Sequence, residues 1–322
     1  MKILITGVAG FIGYSLADFF LKKKIKVHGL DNFDDYYSVS YKKERIHLLK
    51  KYKKFFFKKI DISNKNYLEK YILKEKTFDV VYHFAAQPGV RYSLKNPRKY
   101  YTSNILGYNN LLSSLAKIKV KKIIYASSSS VYGDQKYLPV NEIRPASPKS
   151  FYGYSKLANE MTSNFFAKFY KMNILGMRFF SVYGEWGRPD MLVIKYINSQ
   201  LNNRIFYLNN NGNHLRDFTH INDIVKILYK IVKVSTKKYH EVFNICSSKP
   251  YSVRKFISVS KKFIKNIKVK NKSKDLADVQ DTHGSNFKIR KITEYKNFKS
   301  IEREIQLIIK WFKENNISTL LK

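Results

Sequence analysis

Apolar positions in the first 180 residues fall into short β-branched or aromatic runs, separated by longer stretches of helical period. Lys2–Ile5, Lys26–Leu30, Phe55–Ile60, Val80–Phe84, Lys122–Tyr125 and Ile174–Arg178 predict strands. Between them, Ile12–Leu21, Pro97–Ala116 and Tyr152–Tyr170 read as helices. Alternation of this kind predicts βαβ units and an α/β fold with a doubly wound parallel sheet. After about Ser181 the alternation gives way to loops, short helices and single strands such as Val242–Ile245. Residues 1–180 are therefore expected to form the sheet domain. Residues 181–322 are expected to form mainly a smaller lobe, with some strands and helices returning to the sheet. Ligands of open α/β sheets sit beyond the carboxyl ends of the strands, so the chemistry is expected there.

Composition changes this picture little. A chain of 322 residues is ample for a buried core. The formal charge of +37 would suit a nucleic-acid partner, but the 61 basic residues are 50 Lys and only 11 Arg, spread from end to end. Lysine abounds together with Asn, Ile, Tyr and Phe, all encoded by AT-rich codons, so compositional bias explains the excess. No specific nucleic-acid site is expected. The single cysteine, Cys246, excludes an internal disulfide and fits a reducing compartment. No apolar stretch reaches 18 residues, and the run in MKILITG is too short for a secretory core, so a cytoplasmic protein with no membrane insertion is expected. No metal is assigned.

The first strand runs into TGVAGFIG, in which Gly7, Gly10 and Gly13 precede a helix. Such a turn lets backbone approach a pyrophosphate and sets it at a helix N-terminus. Asp31 closes the second strand 18 residues after Gly13. A carboxylate there accepts ribose hydroxyls and repels a 2′-phosphate, which favours NAD over NADP. Phe11, Ile12, Asn32 and Ile62 are assigned to the same cofactor surface, along with Ala85 and Ala86 of HFAAQ, whose small side chains leave room for it. Asp61 either bonds the adenine or caps its strand.

FYGYSKLANE places Tyr152 and Lys156 four apart, on one helix face. A free phenol, with a pKa of about 10, is a poor base at neutral pH. An ammonium about 4 Å away contributes about 4 kcal/mol at an effective dielectric near 20, which is about three pKa units. Tyr152 would then be a usable base, and the positive nicotinamide of oxidised NAD pushes the same way. Tyr154 is the competing aromatic, but its spacing to Lys156 puts it on another face. The run YASSSSVYG, with Ser127 to Ser130, is either loop filler or a row of hydroxyls at a reacting atom.

TGVAGFIG, Asp31, HFAAQ, the Asn104 helix, YASSSSVYG and YGYSK occur in the order of the extended short-chain dehydrogenase/reductase superfamily. The chain resembles its nucleotide-sugar epimerase branch over nearly its whole length. The resemblance implies a Rossmann-type domain that retains NAD tightly and regenerates it in each turnover. It implies that Ser128 is the catalytic hydroxyl beside Tyr152, that Lys156 also holds the nicotinamide ribose, and that Asn104 lies at the cofactor. It further implies a homodimer through the helices around Asn104 and Tyr152–Tyr170, where Phe165, Phe166 and Phe169 would fit a pairing face or the core, and surface polysaccharide synthesis as the setting.

Relatives that dehydrate or decarboxylate their sugar carry acidic residues just after the catalytic hydroxyl, where this chain has Ser129 and Ser130. Serine cannot supply that acid–base step, which leaves oxidation followed by reduction at one carbon, an epimerisation. QPGVRYSL and FFSVYGEWGRPDM are similar to segments of UDP-glucuronate 4-epimerases. Arg91 and Arg188 could bind a carboxylate or phosphate. Ser129, Ser130 and Ser181 are expected at the sugar, and by resemblance Arg216 and Asp278 anchor the nucleotide. The substrate is thus expected to be a UDP-sugar, foremost UDP-glucuronate converted to UDP-galacturonate. The alternatives are a UDP-glucose/UDP-galactose or other nucleotide-sugar epimerase, or a non-catalytic basic RNA-binding protein. The chain departs from the family pattern at Glu185, Leu215, Gly284-Ser285 and Asn297, all in the substrate lobe.

Overall fold

The computed structural model describes residues 1–235, 238–273 and 279–321. Six strands of the first half are β1 (Lys2–Thr6), β2 (Lys26–Asp31), β3 (Phe55–Lys59), β4 (Thr77–His83), β5 (Lys119–Ser128) and β6 (Ile174–Phe179). The second half adds β7 (Ser181–Tyr183), β8 (Phe206–Asn209), β9 (Leu215–His220), β10 (His240–Ile245), β11 (Pro250–Ser252) and β12 (Val269–Lys272). The main sheet has seven strands in the order β10-β6-β5-β4-β1-β2-β3. Every pairing in it is parallel. Strand order reverses between β1 and β4, which makes their carboxyl ends the ligand-binding crevice of a Rossmann-type sheet.

The strand expected around Val242–Ile245 is not isolated. It is β10, paired residue for residue with β6 from His240↔Ile174 to Ile245↔Phe179. The Ile221–Ile231 helix likewise returns, burying Ile224, Ile227, Leu228 and Ile231 in the core on one sheet face. The opposite face is covered through Leu68, Ile72, Leu111, Leu112 and Phe166. The lobe has its own core of Ile194, Ile197, Phe206, Phe256, Ile308 and Phe312, and it recruits Tyr41 from the first half of the chain. β7, β9 and β11 form a small sheet, and β8 pairs with β12.

The helix predicted over Pro97–Ala116 is broken: Pro97–Tyr100 and Gly107–Leu115 are α-helical, and Tyr101–Leu106 between them is a π-turn. Of the phenylalanines on the expected pairing face, Phe166 is core at 5 % exposure, whereas Phe165 and Phe169 lie open at 49 % and 71 %. Among the described residues, no helix is long and apolar enough to cross a membrane. At Gly284 a Cβ would stand 2.4 Å from the Phe180 ring and 2.7 Å from Cys246 Sγ, so packing there leaves no room for a side chain.

Candidate active site

The carboxyl ends of the central strands open into a cleft of about 680 Å³. On its β1 side lies the glycine turn. Gly7 has φ of +72°, and a Cβ on it would stand 2.5 Å from the Ala85 amide nitrogen; one on Gly13 would stand 2.2 Å from the Gly7 carbonyl oxygen. Side chains are thereby excluded where the Phe11–Lys22 helix begins. Its N-cap, Gly10, offers no side-chain acceptor and its first turn no acid. The first N–H groups are left for an external anion, as a dinucleotide pyrophosphate requires.

Asp31 accepts from the Ala9 amide at 3.0 Å and the Phe33 amide at 2.8 Å. Burial raises its pKa, while the Phe33 hydrogen bond and the Lys42 charge oppose the rise. Asp61 accepts from the Ser63 amide and hydroxyl and from Asn32 Nδ2 at 2.8, 2.7 and 2.8 Å, so its carboxylate caps the strand end. Burial pushes its pKa up, but these bonds prevail and hold it below the usual value. Phe11, Ile12, Asn32, Ile62, Ala85 and Ala86 also line the cleft.

Across the cleft, Ser150 caps the Phe151–Phe169 helix by accepting from the Gly153 amide at 3.1 Å. Gly153 lets this helix close on the serine turn, since a Cβ there would stand 2.7 Å from the Ser130 carbonyl. The next residue back, Tyr152, is thereby set against the serines. Burial raises the Tyr152 pKa, and the Ser128 hydrogen bond and the Arg188 charge pull it down, while Asp190 adds to the rise. Ser128 Oγ in turn accepts from the Ser130 amide at 3.1 Å.

Lys156 lies on the Tyr152 side of the helix, as a cation over its ring. Its Nζ sits 5.9 Å from the Tyr152 ring centroid and donates to the Ala126 carbonyl at 2.9 Å. Burial lowers the lysine pKa to about 8. The Arg188 charge also acts on the phenol and lowers its pKa.

Arg188 makes a two-pronged ion pair with Asp190, Nε to Oδ1 at 3.0 Å and Nη2 to Oδ2 at 2.5 Å. Asp190 also accepts from Tyr36 Oη at 3.1 Å. Burial opposes its ionisation, but the Arg188 charge and these bonds keep its pKa below the usual value. Arg91 Nη1 meets the side-chain oxygen of Asn209 at 3.0 Å, with that amide oriented to accept. Arg216 donates to the carbonyls of Leu215, Gln280 and Val279 at 2.8 to 2.9 Å. Ser129, Ser130 and Ser181 line the cleft with them. Asp278 lies outside the described residues.

Asn104, expected at the cofactor, does not line the cleft. It is fully buried, accepting from the Gln87 amide at 2.7 Å and donating to the Gln87 carbonyl and Ser155 Oγ at 3.1 and 2.9 Å. Its amide is consumed in tying the loop after β4 to the catalytic helix. Sequence reading also missed the support behind the serines. Glu160 accepts from Ser127 Oγ at 2.5 Å and pairs twice with Arg178, at 2.9 and 2.7 Å. Arg178 donates to Tyr132 Oη at 2.8 Å, which donates to Asn244 at 2.7 Å. One signal for it was present: Tyr152, Lys156 and Glu160 recur every four residues on one face.

The family model for GDP-mannose 4,6 dehydratase matches residues 4–316. The chain is 35 % identical to the UDP-glucuronate 4-epimerase of Thermodesulfobacterium geofontis, over 97 % of this chain and 96 % of that one. It is 33 % identical to UDP-glucuronate 4-epimerase 2 of Arabidopsis thaliana, over 97 % of this chain and 76 % of that one. Among solved structures, UDP-glucuronic acid 4-epimerase from Bacillus cereus, in complex with UDP-glucuronic acid and NAD, superposes with a TM-score of 0.92. That match covers 98 % of this chain and 100 % of the other at 31 % identity.

Proposed function

The chain belongs to the GDP-mannose 4,6 dehydratase family of extended short-chain dehydrogenase/reductases, and from that premise we propose that it interconverts UDP-glucuronate and UDP-galacturonate. It is an NAD-dependent nucleotide-sugar 4-epimerase. The family name does not carry dehydration with it. Eliminating water needs a proton donor beside the sugar, and the turn facing Tyr152 carries the hydroxyls of Ser128, Ser129 and Ser130. Asp190, the carboxylate whose charge reaches Tyr152, is held ionised by Arg188 and Tyr36 and has no proton to give. That hydroxyl turn is the observation carrying the proposal.

The residues divide the work as follows. Tyr152 takes the C4 hydroxyl proton and later returns one, with Ser128 hydrogen-bonded to its oxygen. Arg188 offsets part of the burial that disfavours the phenolate. Gly7, Gly10, Gly13 and Asp31 would hold NAD, which when bound would accept a hydride and, once reduced, give it back. Arg216, and Asp278 by resemblance, fix the nucleotide end while the 4-keto sugar turns over.

UDP-glucuronate is favoured over a neutral sugar because oxidation at C4 places a ketone β to the C6 carboxylate. Such a species loses carbon dioxide unless the C5–C6 bond is held out of line with the carbonyl π system. Ser129, Ser130 and Ser181 offer hydroxyls for that purpose. The double substitution Ser129→Ala, Ser130→Ala is expected to raise the UDP-pentose by-product at least about tenfold relative to epimer, the worth of one hydrogen bond to a charged group. A product ratio equal to the parent's would remove this role. The direct test is to incubate purified protein with UDP-glucuronate and no added NAD, then resolve the sugars by chromatography. UDP-galacturonate is the expected product. Inert UDP-glucuronate together with conversion of UDP-glucose to UDP-galactose would assign the enzyme to neutral sugars instead.

A further inference from the structure

Arg45, on the Val39–Lys50 helix, is fully buried, yet among the described residues it bonds only neutral oxygens. One Nη donates to the Ala9 carbonyl and to Tyr37 Oη at 2.8 and 2.9 Å, and the other to the Trp186 carbonyl at 2.5 Å. Its Nε has no partner. The guanidinium lies 4.3 Å above the Tyr41 ring, and Tyr41 Oη donates to the Gly187 carbonyl at 3.3 Å. A buried cation with no paired carboxylate is expensive unless an anion completes it.

What Arg45 bridges is specific. Ala9 is in the glycine turn, and its N–H is already held by Asp31, so that the peptides on both sides of this residue are fixed. Trp186 has φ of +59°, a conformation a bulky residue keeps only when its surroundings enforce it. Two residues on stands Arg188, whose charge reaches Tyr152. A single side chain thus joins the phosphate turn to the loop that carries the active-site cation.

We propose that Arg45 is a positioning residue whose buried charge is completed by the dinucleotide pyrophosphate, so that cofactor retention and the placement of Arg188 depend on the same side chain. This rests on the dinucleotide reading of the glycine turn. Without the cofactor, the hydrogen bonds of the cation go to neutral oxygens, and Asp31, whose carboxylate feels its charge, makes no direct ion pair with it; the pyrophosphate would add negative charge at the turn that Arg45 supports.

The test compares the parent with Arg45→Met and Arg45→Lys. NAD per chain after purification, NAD affinity of stripped protein, and KM and kcat for the UDP-sugar are measured, and each variant's melting rise on adding NAD is referred to its own NAD-free melt. Arg45→Met is expected to weaken NAD about tenfold or more, the loss of one charge-assisted contact, and to raise KM more than it lowers kcat under saturating NAD. Arg45→Lys keeps the charge but loses the fork, and falls between. A purely structural strut would lower the NAD-free melt and leave the NAD-induced rise unchanged, and that pattern overturns the proposal. So does parental NAD affinity in Arg45→Lys, which carries the test if Arg45→Met does not fold. A parent chain that binds no NAD overturns the cofactor reading itself, and this proposal with it.

Discussion

Tyr152→Phe is expected to lower turnover by about a thousandfold or more while leaving the chain folded and loaded with NAD. The change removes one oxygen and keeps a ring that packs 6.2 Å, edge on, from Tyr100. No neighbour can take over the proton. Ser128 is a hydroxyl with no base of its own behind it, since its Oγ is turned to the Ser130 amide. Lys156 is committed to the Ala126 carbonyl. Asp190 is ionised, but both its oxygens are bound by Arg188 and one also by Tyr36. The measurement is epimer formation alongside NAD content. Residual activity above a tenth of the parent's, with NAD retained, would mean that the proton leaves by another route.

The same constellation shows how far residue types alone could lead. Period-two and helical patterns placed the six strands of the first half and the catalytic helix to within a few residues, because each is a strongly apolar segment bounded by turn residues. They failed at β10, where the apolar run is legible but its parallel partner, β6, lies more than 60 residues earlier. They failed again over Pro97–Ala116, where periodicity is kept across the π-turn and gives no sign of the break. At the site, the glycine turn was legible because its chemistry is backbone chemistry, forced by the absence of side chains. Tyr152 and Lys156 were legible from spacing, but the further charge of Arg188 on the phenol was not. Four-residue spacing brings Lys156 onto the right face, while the hydrogen bond that holds its ammonium goes to the Ala126 carbonyl near the end of β5. Arg188 reaches the phenol from a loop 36 residues away, and Asn104 turned inward because two groups of the Gln87 backbone needed its amide. Long-range contacts of this sort leave no periodic trace.

Gly13→Ala is expected to yield a chain that retains no NAD and shows no epimerisation, even though alanine is the better helix former by about 1 kcal/mol. Gly13 sits inside the Phe11–Lys22 helix with ordinary backbone angles, so no conformational penalty attaches to the change. The obstacle is space. The new Cβ would lie 2.2 Å from the Gly7 carbonyl oxygen and 3.0 Å from the Val8 Cα. Both neighbours are backbone, so no side-chain rotation relieves the clash and the turn itself must shift. Gly7 cannot yield easily, because it is wedged against the Phe84–Ala85 backbone and its carbonyl accepts from the Gly10 amide at 3.0 Å. Moving that turn displaces Ala9, whose N–H is held by Asp31 and whose carbonyl is held by Arg45, and with it the N–H groups meant for the pyrophosphate. Overpacking of this kind costs about 1 to 3 kcal/mol of stability, which a core this large absorbs, so folded but cofactor-free protein is the expected product. Extraction and chromatography of bound nucleotide measure it directly. Retention of NAD at the parental ratio would show that the turn does not cradle the cofactor. If NAD is lost from Gly13→Ala and only weakened in Arg45→Met, the backbone shape of the turn sets whether the dinucleotide binds, and the buried charge behind it sets how tightly.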